Sequence, residues 1–383
     1  MASVPVPSRS NLLDERAWLF LSLATVLIGF GVLMVHSASI TSRPTEFEQI
    51  YLKRHILFLG LAVIAASTIA AIPPRYWMQL APWMFLGTVL LLGATLIPGV
   101  GHSANGAQRW LRWELCSLQF QPSELAKLTL PLFLARLAVN RRERLKGILS
   151  GTLPFALPAA LVIFLVVREP DFSTAAFLTG SAALVLFLAG WPVRNFVVGL
   201  GASISGGIYL ITERSYRLQR ISDLVSVWTD FSNSDAWQLK QSLITLGAGN
   251  YWGVGLGRGS QKLSFLPESN TDFVFAVAGE ELGMAGTIGL VALWCGLFWT
   301  GLQLFRGFRS DCFCRIAGVA LLTQLVGQAL MNAAVATALI PTTGIPHPLI
   351  SYGGSSLVVS VMTLGMIISL SRARTGQDRA VLR

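Results

Sequence analysis

The stretch AWLFLSLATVLIGFGVLMVHSAS, residues 17–39, decides how the rest of the chain is read. It follows Asp14, Glu15 and Arg16 and then carries no Asp, Glu, Lys or Arg to its end. As a helix rising ~1.5 Å per residue, about 20 apolar residues cross the ~30 Å hydrocarbon core of a bilayer. The run is longer than the apolar core of a secretory leader, and more runs follow, so it reads as a retained membrane helix. Working outward from it, ten spans are expected: 17–37, 55–73, 79–98, 122–139, 149–167, 173–191, 194–212, 272–304, 315–337 and 350–371. The eighth is long and holds Glu280 and Glu281, which predicts a kink or a tilt.

The composition agrees. Of 383 residues, 53% are hydrophobic and only 13% charged, against about 25% in a soluble domain. Without water each span must satisfy its own backbone, and the runs are continuously apolar rather than alternating, so the fold class is an all-α polytopic membrane protein and not a barrel. One membrane domain, 1–383, is expected, with an N-terminal segment 1–16, a long loop 213–271 between spans seven and eight, and a tail 372–383.

Ten spans put both termini on one side. The segments on that side hold fifteen basic residues, among them Arg141, Arg142, Arg144, Lys146, Arg306, Arg309 and Arg315. The short loops on the other side hold six: Arg43, Lys53, Arg54, Arg109, Arg112 and Arg168. The positive-inside rule places both termini in the cytoplasm and the 213–271 loop outside. Twelve of the nineteen acids fall in outer segments or at outer helix ends. The net charge of +10 therefore reads as topology and contact with anionic lipid, not as a nucleic-acid surface. Of four cysteines only Cys116 falls outside, so no outer disulfide forms within one chain, and Cys312-Phe313-Cys314 sits in a short inner loop. The four histidines show no metal-ligand spacing.

Ionisable residues crowd the outer side. Glu124 and Lys127 are three apart at the start of the fourth span and share a face. They are either an internal ion pair or part of a polar cavity wall. Arg168-Glu169-Pro170-Asp171 is a tight connection that could be a solvated turn. Arg214, Arg217 and Arg220 recur every three residues, suited to lipid phosphate, a diphosphate or simply solvent. Asp235 to Ile244 is amphipathic enough to lie on the membrane surface. The glycine-rich run 247–259 could offer amides to phosphate or act as a spacer. Asp272 stands where polar sequence becomes the eighth span, placed either as a general base or as a helix cap. Three prolines, Pro341, Pro346 and Pro348, forbid regular helix before the last span, so that irregular stretch should pack beside the outer site.

Five motifs in order, GAQRW at 106–110, QPSELAK at 121–127, SYRLQR at 215–220, QKLSFLPESNTDFVFAVAGEELG at 261–283 and PLISYGGSS at 348–356, resemble the SEDS family over nearly the whole chain. This is the FtsW, RodA and SpoVE group, and the QKL and PLISYGGSS forms are most similar to FtsW. The resemblance implies a peptidoglycan glycosyltransferase acting on lipid II at the outer face of the bacterial inner membrane, in division or elongation. It implies inversion, with the 4-hydroxyl of one lipid II attacking the anomeric carbon of an undecaprenyl-diphosphate glycan. Asp272 maps onto the essential aspartate, as base or metal-associated acid. Glu124 and Lys127 map onto polar cavity positions; Arg109, Arg217, Arg220 and Lys262 would hold diphosphate, and Ser351 of the last motif would bind substrate at the diphosphate or in the cavity. A divalent cation (Mg or Mn), a class B penicillin-binding protein and divisome or elongasome partners are implied too. Two departures stand out: Glu169 and Ser173 where the family usually has Gln and Gly, and Thr343 and His347 where FtsW-like chains often differ. A lipid II flippase and a non-catalytic scaffold are the competing readings; a flippase needs a polar path to both faces, and here the polar residues gather on one.

Overall fold

The computed structural model describes residues 9–39, 46–104, 107–113, 118–260 and 266–373. Ten long helices occupy the expected positions: α1 (Arg9–Ser39), α2 (Glu46–Ala71), α3 (Pro74–Thr95), α4 (Pro122–Asn140), α5 (Ile148–Arg168), α6 (Phe172–Leu188), α7 (Val193–Thr212), α10 (Val274–Leu304), α11 (Phe313–Ala336) and α12 (Gly354–Ser371). Eight are long and apolar enough to cross a membrane; α6 has 17 residues, and α4 carries Glu124, Lys127 and Arg136. Aliphatic and aromatic side chains such as Ile64, Leu90, Phe187 and Val197 are exposed on the outside of the bundle, where lipid is the solvent. Inside, Phe20, Phe155, Trp294 and Phe313 are among the fully buried side chains of one continuous core. Helix α7 stands apart, with Asn195 its one buried residue, bonded to the carbonyls of Leu145 and Gly147.

Between α3 and α4 the chain forms a three-stranded antiparallel sheet, β1 (Gly101–Ala104), β2 (Ala107–Trp113) and β3 (Leu118–Phe120). From sequence this segment reads as a loop, because Gln108-Arg109-Trp110-Leu111-Arg112 runs polar, polar, apolar, apolar, polar and carries no period of two. Strand geometry puts Arg109 on the same face as the buried Ala107 and Leu111.

The long loop between the seventh and eighth spans holds α8 (Ser215–Thr229) and α9 (Trp237–Ala248). They pack through Val227, Ala236 and Leu239 against Ala338 just past α11. Trp228 Nε1 donates to Ala338 O (2.7 Å) and Ser242 Oγ to Ala336 O (2.7 Å). The apolar points read on α9 therefore divide: Leu239 is buried in this packing, while Trp237 and Ile244 remain exposed.

The eighth span is broken as expected. At Gly283 the backbone leaves the helix (φ 69°, ψ −168°). A break within a span frees amides and carbonyls that must find partners. The glycine-rich run supplies them: Val254 N donates to Glu280 O (3.0 Å), Gly255 N to Glu281 O (3.0 Å), and Asn250 O accepts from Met284 N (2.8 Å). Its amides also reach the buried carboxylates, Ser260 N to Glu280 (2.8 Å) and Gly257 N to Glu281 (3.1 Å), and Ser37 Oγ donates to Glu281 from α1. This run is neither spacer nor phosphate cradle; it is the missing pairing partner of α10. A Cβ at Gly283 would stand 2.4 Å from Gly253 N, on a backbone that already disfavours one. Gly283→Ala should therefore cost at least about 1–3 kcal/mol and lower the thermal midpoint of the purified protein; an unchanged midpoint would refute this account of the break.

Candidate functional site

A cavity of about 590 Å³ enters the bundle from the end that carries the sheet, α8 and α9, between α6, α8, α11 and the irregular segment 340–344. Its lining descends α6 from Phe172 to Leu184, a depth of roughly 18 Å at ~1.5 Å per residue. The mouth carries Arg109, Asp171, Arg217 and Arg220, with Ile211 and Ile221 beside them; farther along α6 and α11 lie Ala176, Phe177, Leu184 and Met331. A cationic rim over an apolar shaft suits a molecule with an anionic head and a hydrocarbon tail.

Each cation is held in place. Arg109 Nε donates to Glu169 O (3.1 Å), its Nη2 donates to Pro170 O, and its Nη1 lies 3.8 Å from Asp171 Oδ2. Arg217 is buried, stacked over Phe172 (5.2 Å) and bonded to the Tyr216 hydroxyl (3.1 Å). Arg220 donates to Thr342 O (2.9 Å). Arg214, the third member of the sequence stripe, is exposed and does not line the cavity. The Arg168–Asp171 connection is not a solvated turn: Glu169 and Asp171 are buried, and Asp171 caps α6 by accepting from Thr174 N (3.2 Å).

Asp272 lies at the cavity's edge. Its Oδ2 is 3.7 Å from where a Cβ on Gly344, a lining residue, would stand. Residue 272 precedes the α10 span, and the helix N-cap is Phe273 without a side-chain cap bond, so Asp272 does not cap. Three successive carbonyls are instead pinned from below. Tyr352 N donates to Asn270 O (2.9 Å), Ser351 Oγ donates to Thr271 O, and Asn332 Nδ2 donates to Asp272 O (2.8 Å). The backbone is fixed, and the carboxylate makes no hydrogen bond among the described residues. Burial first, then the charges of Glu268 and Asp171, push it up to about 7, with Arg220 opposing.

Sequence reasoning missed Asn332 and two companions. Gln324, Gln328 and Asn332, spaced by four, lie on one face of α11. Asn332 also holds Ile345 O (3.1 Å), Gln328 holds Pro346 O (2.9 Å), and Gln324 holds Lys127 O (2.7 Å). Three amides at that spacing in an apolar span were the available signal.

The structure brings Arg109, Arg217, Arg220 and Asp272 together and sets three other expected residues apart. Glu124 and Lys127 do not line the cavity; they form a buried ion pair (Nζ–Oε1 2.6 Å) behind its wall, with Lys127 Nζ 5.6 Å from the ring of Phe177, which does line it. Ser351 is buried and its hydroxyl is spent on Thr271 O and on the amide of His347 (2.8 Å). It positions the Asp272 segment rather than meeting a ligand. Lys262 lies outside the described residues. The irregular stretch after α11 does pack beside the site, with Ile340 to Gly344 in its wall. A second hollow of about 450 Å³, lined by Arg54, Trp110, Arg112, Gln119, Thr271 and Tyr352, lies across the Asp272 segment and uses the opposite face of β2. No three His, Cys, Asp or Glu side chains converge on a point among the described residues, which therefore offer no complete metal cage of their own.

Comparison with known proteins places this geometry. Residues 17–376 match the model of the FtsW/RodA/SpoVE family, described as cell cycle protein. A probable peptidoglycan glycosyltransferase FtsW of Geobacter sp. (strain M18) is 36% identical over 361 residues, covering 93% of this chain and 96% of that one. Stage V sporulation protein E of Bacillus subtilis is 34% identical, covering 92% and 96%. Among solved structures, a chain from work on the structural coordination of polymerization and crosslinking by a peptidoglycan synthase complex superposes with a TM-score of 0.74 at 27% identity, covering 94% of this chain and 98% of that one. The rod shape determining protein RodA of Thermus thermophilus gives 0.66 at 27% identity, covering 94% and 97%.

Proposed function

Because the chain belongs to the FtsW/RodA/SpoVE family of cell cycle proteins, we propose that its outer cavity is the active site of a peptidoglycan glycosyltransferase that polymerises lipid II. The observation that carries the reading is the pairing of an unspent carboxylate, Asp272, with three arginines at the mouth of an apolar shaft. The shaft suits the isoprenoid chain, the arginines its diphosphate, and Asp272 an attacking hydroxyl.

The reaction proceeds as one displacement. The 4-hydroxyl of the acceptor sugar loses its proton to the Asp272 carboxylate as its oxygen bonds to the donor's anomeric carbon. The bond from that carbon to the diphosphate oxygen breaks, and the α-linked donor becomes a β-1,4 glycan. Arg109, Arg217 and Arg220 stabilise the charge that develops on the leaving diphosphate. Holding their guanidinium groups in advance through Glu169 O, the Tyr216 hydroxyl and Thr342 O avoids reordering during the step. Joining two lipid-linked substrates needs two sites, and two hollows flank the Asp272 segment. A divalent cation, implied by the resemblance, would arrive with the diphosphate, and no step is assigned to it.

The outer sheet, α8, α9 and the cavity share one end of the bundle, and the Arg141–Lys146 and Arg306–Arg315 segments join helices at the other. With the positive-inside rule this supports an inner-membrane enzyme with cytoplasmic termini and an outward site. Cross-linking falls to a class B penicillin-binding protein as partner, in the divisome or elongasome. Purified protein given lipid II and a divalent cation in detergent should make glycan polymer visible on a gel, and Asp272→Ala should make none. Polymer made equally by both would remove Asp272 from the mechanism.

The pH dependence follows from the same group. The base must be ionised, so below about 7 the rate should fall about tenfold per pH unit as Asp272 takes up a proton. Initial polymerisation rates measured across that range check it, and a flat profile into the acid region would contradict it.

A further inference from the structure

The connection between α5 and α6 buries a carboxyl group that the displacement does not use. Glu169 has no exposed surface. One of its oxygens, Oε1, is hydrogen-bonded to Thr95 Oγ1 at the end of α3. Thr95 Oγ1 also lies 2.7 Å from Leu92 O. A hydroxyl has one proton and a carbonyl has none. Thr95 is placed to donate to either Leu92 O or Glu169 Oε1, and both contacts are hydrogen bonds at once only when the carboxyl group supplies the second proton. The other oxygen, Oε2, is buried without a hydrogen-bond partner among the described residues. A bare charged oxygen costs far more than a bare neutral one.

The charged groups facing this carboxyl are Asp171 on the same connection and Arg109 from β2; α3 offers the neutral Thr95, and on α4 Glu124 and Lys127 neutralise one another. Burial raises the group to about 8, against the hydrogen bond with Thr95, which lowers it; of the charges, Asp171 acts with burial and Arg109 against it. The backbone of the same two residues, Glu169 and Pro170, supplies the carbonyls that hold Arg109 at the cavity mouth.

We propose that Glu169 is a positioning residue that works as the neutral acid: the proton chain from Glu169 through Thr95 to Leu92 O ties the α5–α6 connection to α3 and aims Arg109 into the cavity. Removing the proton places a buried negative charge beside Asp171, turns the Thr95 hydroxyl from Leu92 O to the carboxylate and loosens the carbonyls that hold Arg109. The inference rests on the reading of the cavity as a diphosphate site.

The test compares wild type with Glu169→Gln, whose amide keeps a neutral donor in the same place. Initial polymerisation rates on lipid II are measured from neutral to alkaline pH, each protein normalised to its own maximum. Wild type should lose about tenfold one pH unit above the carboxyl's value, and Glu169→Gln should lose less than about twofold over the same range. An identical alkaline limb in both overturns the proposal. Infrared spectra provide a readout independent of turnover: wild type at neutral pH should show a protonated-carboxyl C=O band that Glu169→Gln lacks and that alkaline pH removes. Absence of that difference also overturns it. If wild type makes no polymer at any pH, the polymerase reading fails, and the infrared comparison still decides whether Glu169 holds its proton.

Discussion

Asp272→Asn should lower the turnover of lipid II by about 10²–10⁴-fold, the range a positioned general base contributes. Asparagine keeps the shape, so the bond from Asn332 to the carbonyl of residue 272 and those from Ser351 and Tyr352 to its two neighbours remain. What disappears is the acceptor for the hydroxyl proton. The loss should fall on kcat, with KM nearly unchanged, because the arginines that grip the diphosphate are untouched. Steady-state polymerisation with varied lipid II separates the two. A loss below tenfold, or one confined to KM, would show that Asp272 binds rather than takes the proton.

The second large effect is on stability. Lys127→Met should destabilise the protein by about 3–5 kcal/mol, because it leaves the buried Glu124 carboxylate without its cation. Glu124→Gln combined with Lys127→Met should recover most of that loss, since a neutral pair of similar volume carries no charge to desolvate. Thermal unfolding of wild type, both single variants and the double variant in detergent gives the coupling directly. Additive effects would mean that the pair does not act as one unit. The consequence reaches the site, because Lys127 lies behind Phe177 and its carbonyl holds Gln324, and both of these line the cavity.

The helices were legible because a bilayer leaves few choices. A continuous apolar run must be a helix, so each of the ten runs became a helix and none was misplaced, although the ends moved, most of all at the starts of α1 and α2. The break in α10 was legible too, since Glu280 and Glu281 could not face lipid. Which segment repairs the break was not. The glycine-rich run lies about thirty residues upstream, and only contact in three dimensions shows its amides on those carboxylates. The small sheet was not legible because its central strand, residues 107–113, carries no polar–apolar alternation.

In the site, residues that face the cavity and residues that stand behind it look alike in sequence. Arg217 and Arg220 face it, while Arg214 on the same stripe does not. Glu124 and Lys127 were legible as a pair sharing a face, yet spacing could not say whether a helix face meets water or another helix. Asp272 was placed by its position ahead of a span. Its supports, Asn332 and Ser351, come from distant segments and become visible only as bonds to consecutive carbonyls.

The most direct test of an outward-facing polymerase uses sidedness. The protein, with its four native cysteines replaced by serine or alanine, is reconstituted into liposomes in both orientations, and a cysteine introduced at Ser232, in the exposed turn between α8 and α9, is labelled by an impermeant maleimide to score the outward fraction. Lipid II is then supplied to the external leaflet only, and glycan polymer is measured. Polymer should rise in proportion to the labelled fraction and vanish with Asp272→Ala. Polymer that follows the opposite orientation, or transfer of lipid II to the inner leaflet without polymer, would contradict the account.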